Sequence, residues 1–353
     1  MNPNQQLIES FVDILIKENG SDLHLSAGRA PSVRASTELI TLVNQKKLTQ
    51  EDMQGILSYI LGAEKYKKFI NEQEIDFSYN YKDNIRLRGN AFFRQGMISI
   101  AFRLIPKVRT IDELKLPEIL KNFAGRKQGF FLVVGPVGQG KSTTLSAMLE
   151  YINGQSAQHI VTVEDPVEYM FEEKRSVIDQ REVGLDTKDF ATALRAVFRE
   201  DVNVIMIGEM RSPDTISTAV TAAETGHLVF STLHTNNAAQ TIDRIIDSFP
   251  GNQQDQIRSQ LANSLLGVFS QRLIPRISGG LVLAYELLIN NAAVGNLIRE
   301  KRTHEIDVVI ETGTEQGMVD MNRSLLELVR AGEITMDNAY LYSMNPKALE
   351  RLM

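Results

Sequence analysis

The sequence predicts an α/β protein in two parts: a small domain built on an antiparallel, half-solvated sheet, then a larger doubly wound sheet with helices on both faces. Three observations lead there. Between residues 74 and 104 apolar side chains alternate with polar ones, the period of a sheet with one wet face. After residue 128 the apolar runs GFFLVV, HIVTV, VNVIMI and HLVFST are almost unbroken, as in parallel strands covered on both sides. Amphipathic stretches such as KSTTLSAMLEYIN and DFATALRAVFRE separate those runs, and parallel strands need crossovers of that length.

Taken in order, residues 4–19 carry Leu7, Ile8, Phe11, Val12, Ile14 and Leu15 at helical spacing, with Gly20 behind them as a stop. A small α/β unit follows. In EIDFSYNY the residues Ile75, Phe77, Tyr79 and Tyr81 share one face, and NIRLRGNAFF and MISIAFRLI continue the period of two. The stretch PKVRTIDELKLP, residues 106–117, is bounded by prolines and breaks that period, which places a linker between a domain at 1–105 and a second at 118–353. The C-terminal DNAYLYSMNPKALERLM reads as one or two short helices with no chemical role. No repeat or coiled-coil period is present.

Of 353 residues, 43% are hydrophobic and 23% charged, enough for ordinary buried cores. The 38 basic and 44 acidic side chains leave a formal charge of −6. No global field draws the chain to nucleic acid or anionic lipid, and a nucleic-acid partner is not expected. Zero cysteines exclude disulfides, thiolate zinc sites and cysteine nucleophiles. The N-terminus MNPNQQLIESF lacks the layout of a secretion signal, and no apolar run approaches the roughly 20 residues that span a bilayer. A cytosolic chain with no direct membrane insertion is expected, with peripheral docking left open.

Chemistry concentrates where apolar strands end. GPVGQGKSTT follows GFFLVV and fits GxxxxGK[ST] at Gly135, Gly140, Lys141 and Ser142. Strand, glycine-rich turn and helix in that order let backbone N–H groups of Pro136-flanked Gly135, Val137, Gly138, Gln139, Gly140 and Thr143 converge on phosphate oxygens. Lys141 would reach the β and γ phosphates and the Ser142 hydroxyl would ligate Mg²⁺. The next three runs end in Glu164 and Asp165, in Glu209, and in His234. Ligands of open parallel sheets bind outside the carboxyl ends of the strands, so these side chains are expected on one rim. Glu209 is the candidate to activate water, and Glu164 a second carboxylate near water or metal. Asp165, before Pro166, reads equally as a turn former. His234 could sense a γ-phosphate as neutral imidazole; His227, at the other end of its strand, reads equally as a packing residue. Arg86 and Arg88 share a face, and Arg103 lies opposite Phe102 and Leu104; these arginines form either a solvated sheet face or the source of an arginine finger.

The collinear order of the phosphate loop, VTVEDPVEY, VNVIMIGEMRSPDT and TGHLVFSTLHTNNA over residues 135–237 resembles the secretion-type ATPase superfamily, with its Walker A, Asp, Walker B and His boxes. SDLHLSAGRAPSVR near the start and NLIREKRTHEIDVVIETGTEQGMVDMNRSLLELVRAGEIT near the end are similar to the type IV pilus retraction ATPases, so the resemblance spans nearly the whole chain. It implies a PAS-like α+β domain followed by a RecA-like P-loop ATPase domain, a homohexamer with ATP and Mg²⁺ between subunits, and work on an inner-membrane pilus platform protein and the pilus assembly machinery. Location would then be cytoplasmic, peripheral at the inner membrane. By the same resemblance Glu164 is the Asp-box acid, Glu209 the catalytic glutamate, His227 and His234 the His box, and Arg88 and Arg103 the nucleotide-facing arginines. Pilus extension or type II secretion, and a non-hydrolysing ring subunit, are the alternatives. The extension relatives typically carry a four-cysteine zinc module, which this chain lacks. Departures fall at Val137 and Gln139, where the family commonly has Thr and Ser, and at Gly295 in AAVGNLIRE, where the retraction pattern has arginine.

Overall fold

In the computed structural model, which describes residues 2–35, 38–82 and 85–352, the first helix, α1 (Pro3–Lys17), opens on Asn2, whose side chain caps the amide of Asn4. Its buried stripe is Ile8, Phe11, Val12 and Leu15. The helix stops earlier than Gly20 implies. Asn19 supplies the left-handed residue (φ 50°), and Gly20 already belongs to a strand, where a Cβ would stand 2.6 Å from Leu15 Cδ1. That glycine is needed for packing.

The chain divides into two compact units, Met1–Lys107 and Val108–Met353. The first adds β1 (Gly20–Ser26), β2 (Ser32–Ala35), β3 (Glu38–Thr41), α2 (Gln50–Glu72), β4 (Glu74–Tyr81), β5 (Ile85–Arg94) and β6 (Met97–Leu104). Its sheet runs β3-β2-β1-β6-β5-β4, antiparallel throughout. Phe77, Tyr79 and Tyr81 face the core, and α1 and α2 cover it with Phe11 and Phe69. Thr49 and Asp52 close a capping box at the start of α2, which bends at Gly62 (φ 68°).

The second unit contains α3 (Ile119–Ala124), β7 (Gly129–Val134), α4 (Lys141–Gln155), β8 (His159–Glu164), β9 (Val177–Glu182), α5 (Phe190–Val197), β10 (Val204–Ile207), α6 (Pro213–Glu224), β11 (Leu228–Leu233), α7 (Ala238–Asp247), α8 (Gly251–Ser264), β12 (Leu265–Pro275), β13 (Leu281–Ile289) and α9 (Ala292–Arg299). Helices α10 (Ile306–Thr312), α11 (Met321–Arg330), α12 (Met336–Tyr342) and α13 (Pro346–Leu352) complete it. Every residue of β7, β10 and β11 is buried. Each buried Val, Leu, Ile, Phe or Met among them contributes roughly 1.5–3 kcal/mol on leaving water, which is why these runs carry no alternation. Strand order is β13-β12-β7-β11-β10-β8-β9. All neighbours are parallel except β13, which returns antiparallel beside β12; the four apolar runs read as parallel strands, in β7, β8, β10 and β11, are parallel. Most of the 106–117 stretch is drawn into this unit: Ile111 is buried with Leu120, Phe123 and Phe131, and Leu114 and Leu116 pack against them.

Candidate active site

After Val134 the chain turns at once. Gly135 has φ +147°, and a Cβ there would lie 2.6 Å from the carbonyl oxygen of Gln271 on β12. Gly140, left-handed at φ 76°, is the cap residue of α4 and gives no side-chain cap; the first helical turn closes with Thr144 N on Gly140 O at 3.0 Å. Uncapped first-turn amides and the helix dipole together make an anion-binding end.

Lys141 is buried within this loop. Its Nζ donates to the carbonyl oxygens of Gly135 and Pro136, both at 2.9 Å, and reaches His234 Nδ1 at 3.3 Å. Burial pushes its ammonium below the ordinary lysine range; the Glu168 and Glu209 carboxylates oppose that shift and Arg272 reinforces it. An anion seated in the loop would relieve the strain on this charge.

Parallel register delivers the remaining groups. Val134 pairs with Leu233, Ser231 with Ile207, and Ile207 with Val163. The carboxyl ends therefore share one edge, in the order β7, β11, β10, β8. Lys141, His234, Glu209 and Glu164, with Ser142, Thr143 and the loop residues 137–140, line one cavity of about 420 Å³. His234 Nε2 stands 3.8 Å from Glu209 Oε2, and Glu209 also pairs with Arg211. Burial, then the Lys141 charge, holds the His234 imidazole below its usual range. With Lys141 donating into Nδ1, the remaining ring proton sits on Nε2, facing Glu209.

Glu164 is only 6% exposed. It accepts from Thr162 Oγ1 at 2.7 Å, Glu168 N at 3.2 Å and Gln180 Nε2 at 3.4 Å. Burial nevertheless pushes its carboxyl up. It thus braces the 164–168 turn while lining the cavity, and Asp165 lies exposed on the rim.

Of the other sequence candidates, His227 lies elsewhere in the second unit. His227 precedes β11 at the opposite end of the strand; its Nδ1 is 3.1 Å from Ala222 O and its ring meets Phe198 edge-on at 5.6 Å. Its contacts are those of a packing residue, and it does not line the cavity. Arg88 and Arg103 belong to the first unit, where they are exposed cross-strand neighbours on β5 and β6. Arg103 Nε donates to Asp22 Oδ1 at 2.9 Å. Burial works to raise the Asp22 carboxyl, yet hydrogen bonds from Ser21 and Arg103 hold it below its usual range.

Three residues outside the motifs anchor the site. Gln271 Nε2 donates to Gln139 O, and Gln271 Oε1 accepts from Thr144 Oγ1 at 2.9 Å. Arg272 donates to Asn236, and Glu286 Oε1 accepts from Ala238 N at 2.9 Å. Their one sequence signal is a polar residue inside an apolar strand, in FSQRLI and AYELLI. The two loop departures also differ: Val137 is 79% exposed, whereas Gln139 Oε1 accepts from Leu273 N at 2.6 Å. Among the described residues no cluster of three or more His, Cys, Asp or Glu could hold a metal, and no helix is long and apolar enough to cross a membrane.

A parallel sheet whose strand turns through glycines into a helix, with acids and a histidine on the same edge, is the architecture of a phosphate-loop protein. The chain belongs to the type II/IV secretion system protein family, whose model matches residues 82–336. It is 44% identical to the type IV pilus retractation ATPase PilT of Pseudomonas aeruginosa over 324 residues, 92% of this chain and 94% of that protein. A twitching motility protein of Neisseria gonorrhoeae is 43% identical over 309 residues, 87% of this chain and 83% of that one. The crystal structure of the pilus retraction motor PilT with bound ADP is similar at a TM-score of 0.90 and 45% identity, covering 98% of this chain and 99% of that chain.

Proposed function

We propose that the chain is an ATP-hydrolysing motor that drives retraction of type IV pili. The observation that carries this is the shared edge: Lys141, His234, Glu209 and Glu164 meet around one cavity, in a chain 44% identical to PilT over nearly its whole length. In this reading the first-turn amides and Lys141 hold the phosphates, Lys141 exchanging the Gly135 and Pro136 carbonyls for phosphate oxygens. Glu209, steadied by Arg211 and facing His234, takes the proton of the attacking water. His234 stays neutral and reports the γ-phosphate through its Nε2 proton. Glu164 fixes the far wall of the cavity.

Ser142 is the residue that would hold magnesium, which when bound neutralises charge on the phosphate oxygens. Its hydroxyl is an oxygen donor of the kind magnesium takes, and Ser142 lines the cavity with Lys141. Arg88 and Arg103 are the candidates for a further cation meeting transition-state charge. The first unit is read as PAS-like and the second as RecA-like, in a homohexamer held at the inner membrane through the pilus machine.

Purified protein should release phosphate from ATP only with magnesium. Lys141→Ala should lose nucleotide binding and turnover, and Glu209→Gln should bind ATP yet turn over roughly a hundredfold more slowly or worse. Unchanged turnover in both variants would overturn the assignment.

A further inference from the structure

We propose that Arg272 is a positioning residue that couples the phosphate loop to the loop carrying His234, so that loading the first sets where the imidazole of the second stands. The proposal rests on the nucleotide-site reading above and adds to it a route by which the two halves of the site communicate.

Strand β12 lies directly beside β7, the strand that becomes the phosphate loop, and pairs with it up to Ser270 and Val134. The next two residues of β12 therefore run alongside the loop itself. Gln271 and Leu273 grip Gln139 through its carbonyl and its side chain. Arg272 is 7% exposed. Its NH1 donates to Gln271 O at 2.9 Å, the same oxygen that a Cβ on Gly135 would strike. Its NH2 forks to Asn236 O at 3.0 Å and Asn236 Oδ1 at 3.2 Å.

A buried guanidinium is costly unless its donors are satisfied. Among the described residues no carboxylate forms an ion pair with it, and Glu286 acts on it only at longer range. Arg272 is therefore held by these oxygens, and it cannot release Asn236 without leaving charge-bearing donors unmet.

The loop it holds is short. Asn236 is two residues beyond His234, Thr235 Oγ1 meets Thr241 Oγ1 at 2.6 Å, and Ala238 N is fixed on Glu286 Oε1. With its far end pinned, a shift at Asn236 is passed to His234, whose imidazole already touches Lys141. A displacement of the phosphate loop moves Gln139 and Gly135 against Gln271, and Arg272 carries that movement to Asn236.

Hydrogen exchange in the assembled protein tests this, comparing segments 134–145 and 233–243 with and without magnesium and ADP, alongside steady-state phosphate release. In the wild type ADP should slow exchange in both segments. In Arg272→Gln the slowing at 134–145 should persist while that at 233–243 falls at least fivefold, and kcat should drop at least tenfold with KM within threefold. Arg272→Lys keeps the charge but not the fork, and should recover part of both effects; it carries the comparison should the glutamine variant fail to assemble. ADP-dependent slowing retained at 233–243 in the variants, or lost equally in both segments, would overturn the coupling. Wild-type protein that slows in both segments but releases no phosphate keeps the coupling and removes the hydrolase reading; wild-type protein unaffected by ADP at 134–145 removes both.

Discussion

Glu286 sits on a strand interior, 6% exposed, and accepts from Ala238 N and Ser270 Oγ. Burial pushes its carboxyl up to about 7, against the Ala238 hydrogen bond and with Asp307 and Asp320 adding to the rise. Arg272, on the neighbouring strand, favours the charged form. Because the folded chain holds this proton more tightly than the unfolded chain does, the associated stability is full below the ordinary carboxyl range and is lost as pH climbs towards 7. The melting temperature of the wild type should therefore fall between pH 5 and pH 8 more than that of Glu286→Gln, a difference worth up to about 3 kcal/mol. Equal pH profiles would show that the carboxyl is not perturbed. At this scale Lys141, Glu209 and His234 were legible because glycine spacing and strand ends announce them. Gln271, Arg272 and Glu286 were not, because a polar residue in a strand does not say which loop lies within its reach. Nor does the sequence reveal that Glu164 points into a closed network of donors and not into open water.

Helix α9 has a glycine in its interior. Gly295 is buried, and a Cβ there would meet Ala262 O and Arg299 NH1 at 3.4 Å, ordinary contact distance. Gly295→Ala should thus remove a helix penalty without a clash and stabilise the protein by about 0.5–1 kcal/mol, read as a melting temperature higher by roughly 1–4 °C. A lower value would show that the α8–α9 approach is tighter than these contacts imply. Elements with strong periods were readable: α1 from its stripe, β4 to β6 from alternation, β7, β8, β10 and β11 from unbroken apolar runs. The β12–β13 pair was not, since Ser270, Gln271 and Arg272 interrupt the run and are buried only because β13 pairs with all three while β7 and the loop that follows it lie on the other side. The glycine behind α1 was read as a stop, yet it serves the close approach of Leu15.

For the whole molecule, the formal charge of −6 supplies no broad positive field for the phosphate backbone of a nucleic acid. A strain lacking the gene should display more surface pili and lose twitching motility, counted by electron microscopy and by spreading on agar. Fewer pili would reassign the motor to assembly. The order in which the sheet is laid down has a further consequence. Strand β7 is entirely buried, but its two neighbours, β11 and β12, come off the ribosome only after residues 228 and 265. Until then the nascent chain carries an unsheltered apolar ribbon with both edges open, the kind of segment that sticks to its copies. Until those later strands arrive, association with other copies competes with the folding of β7.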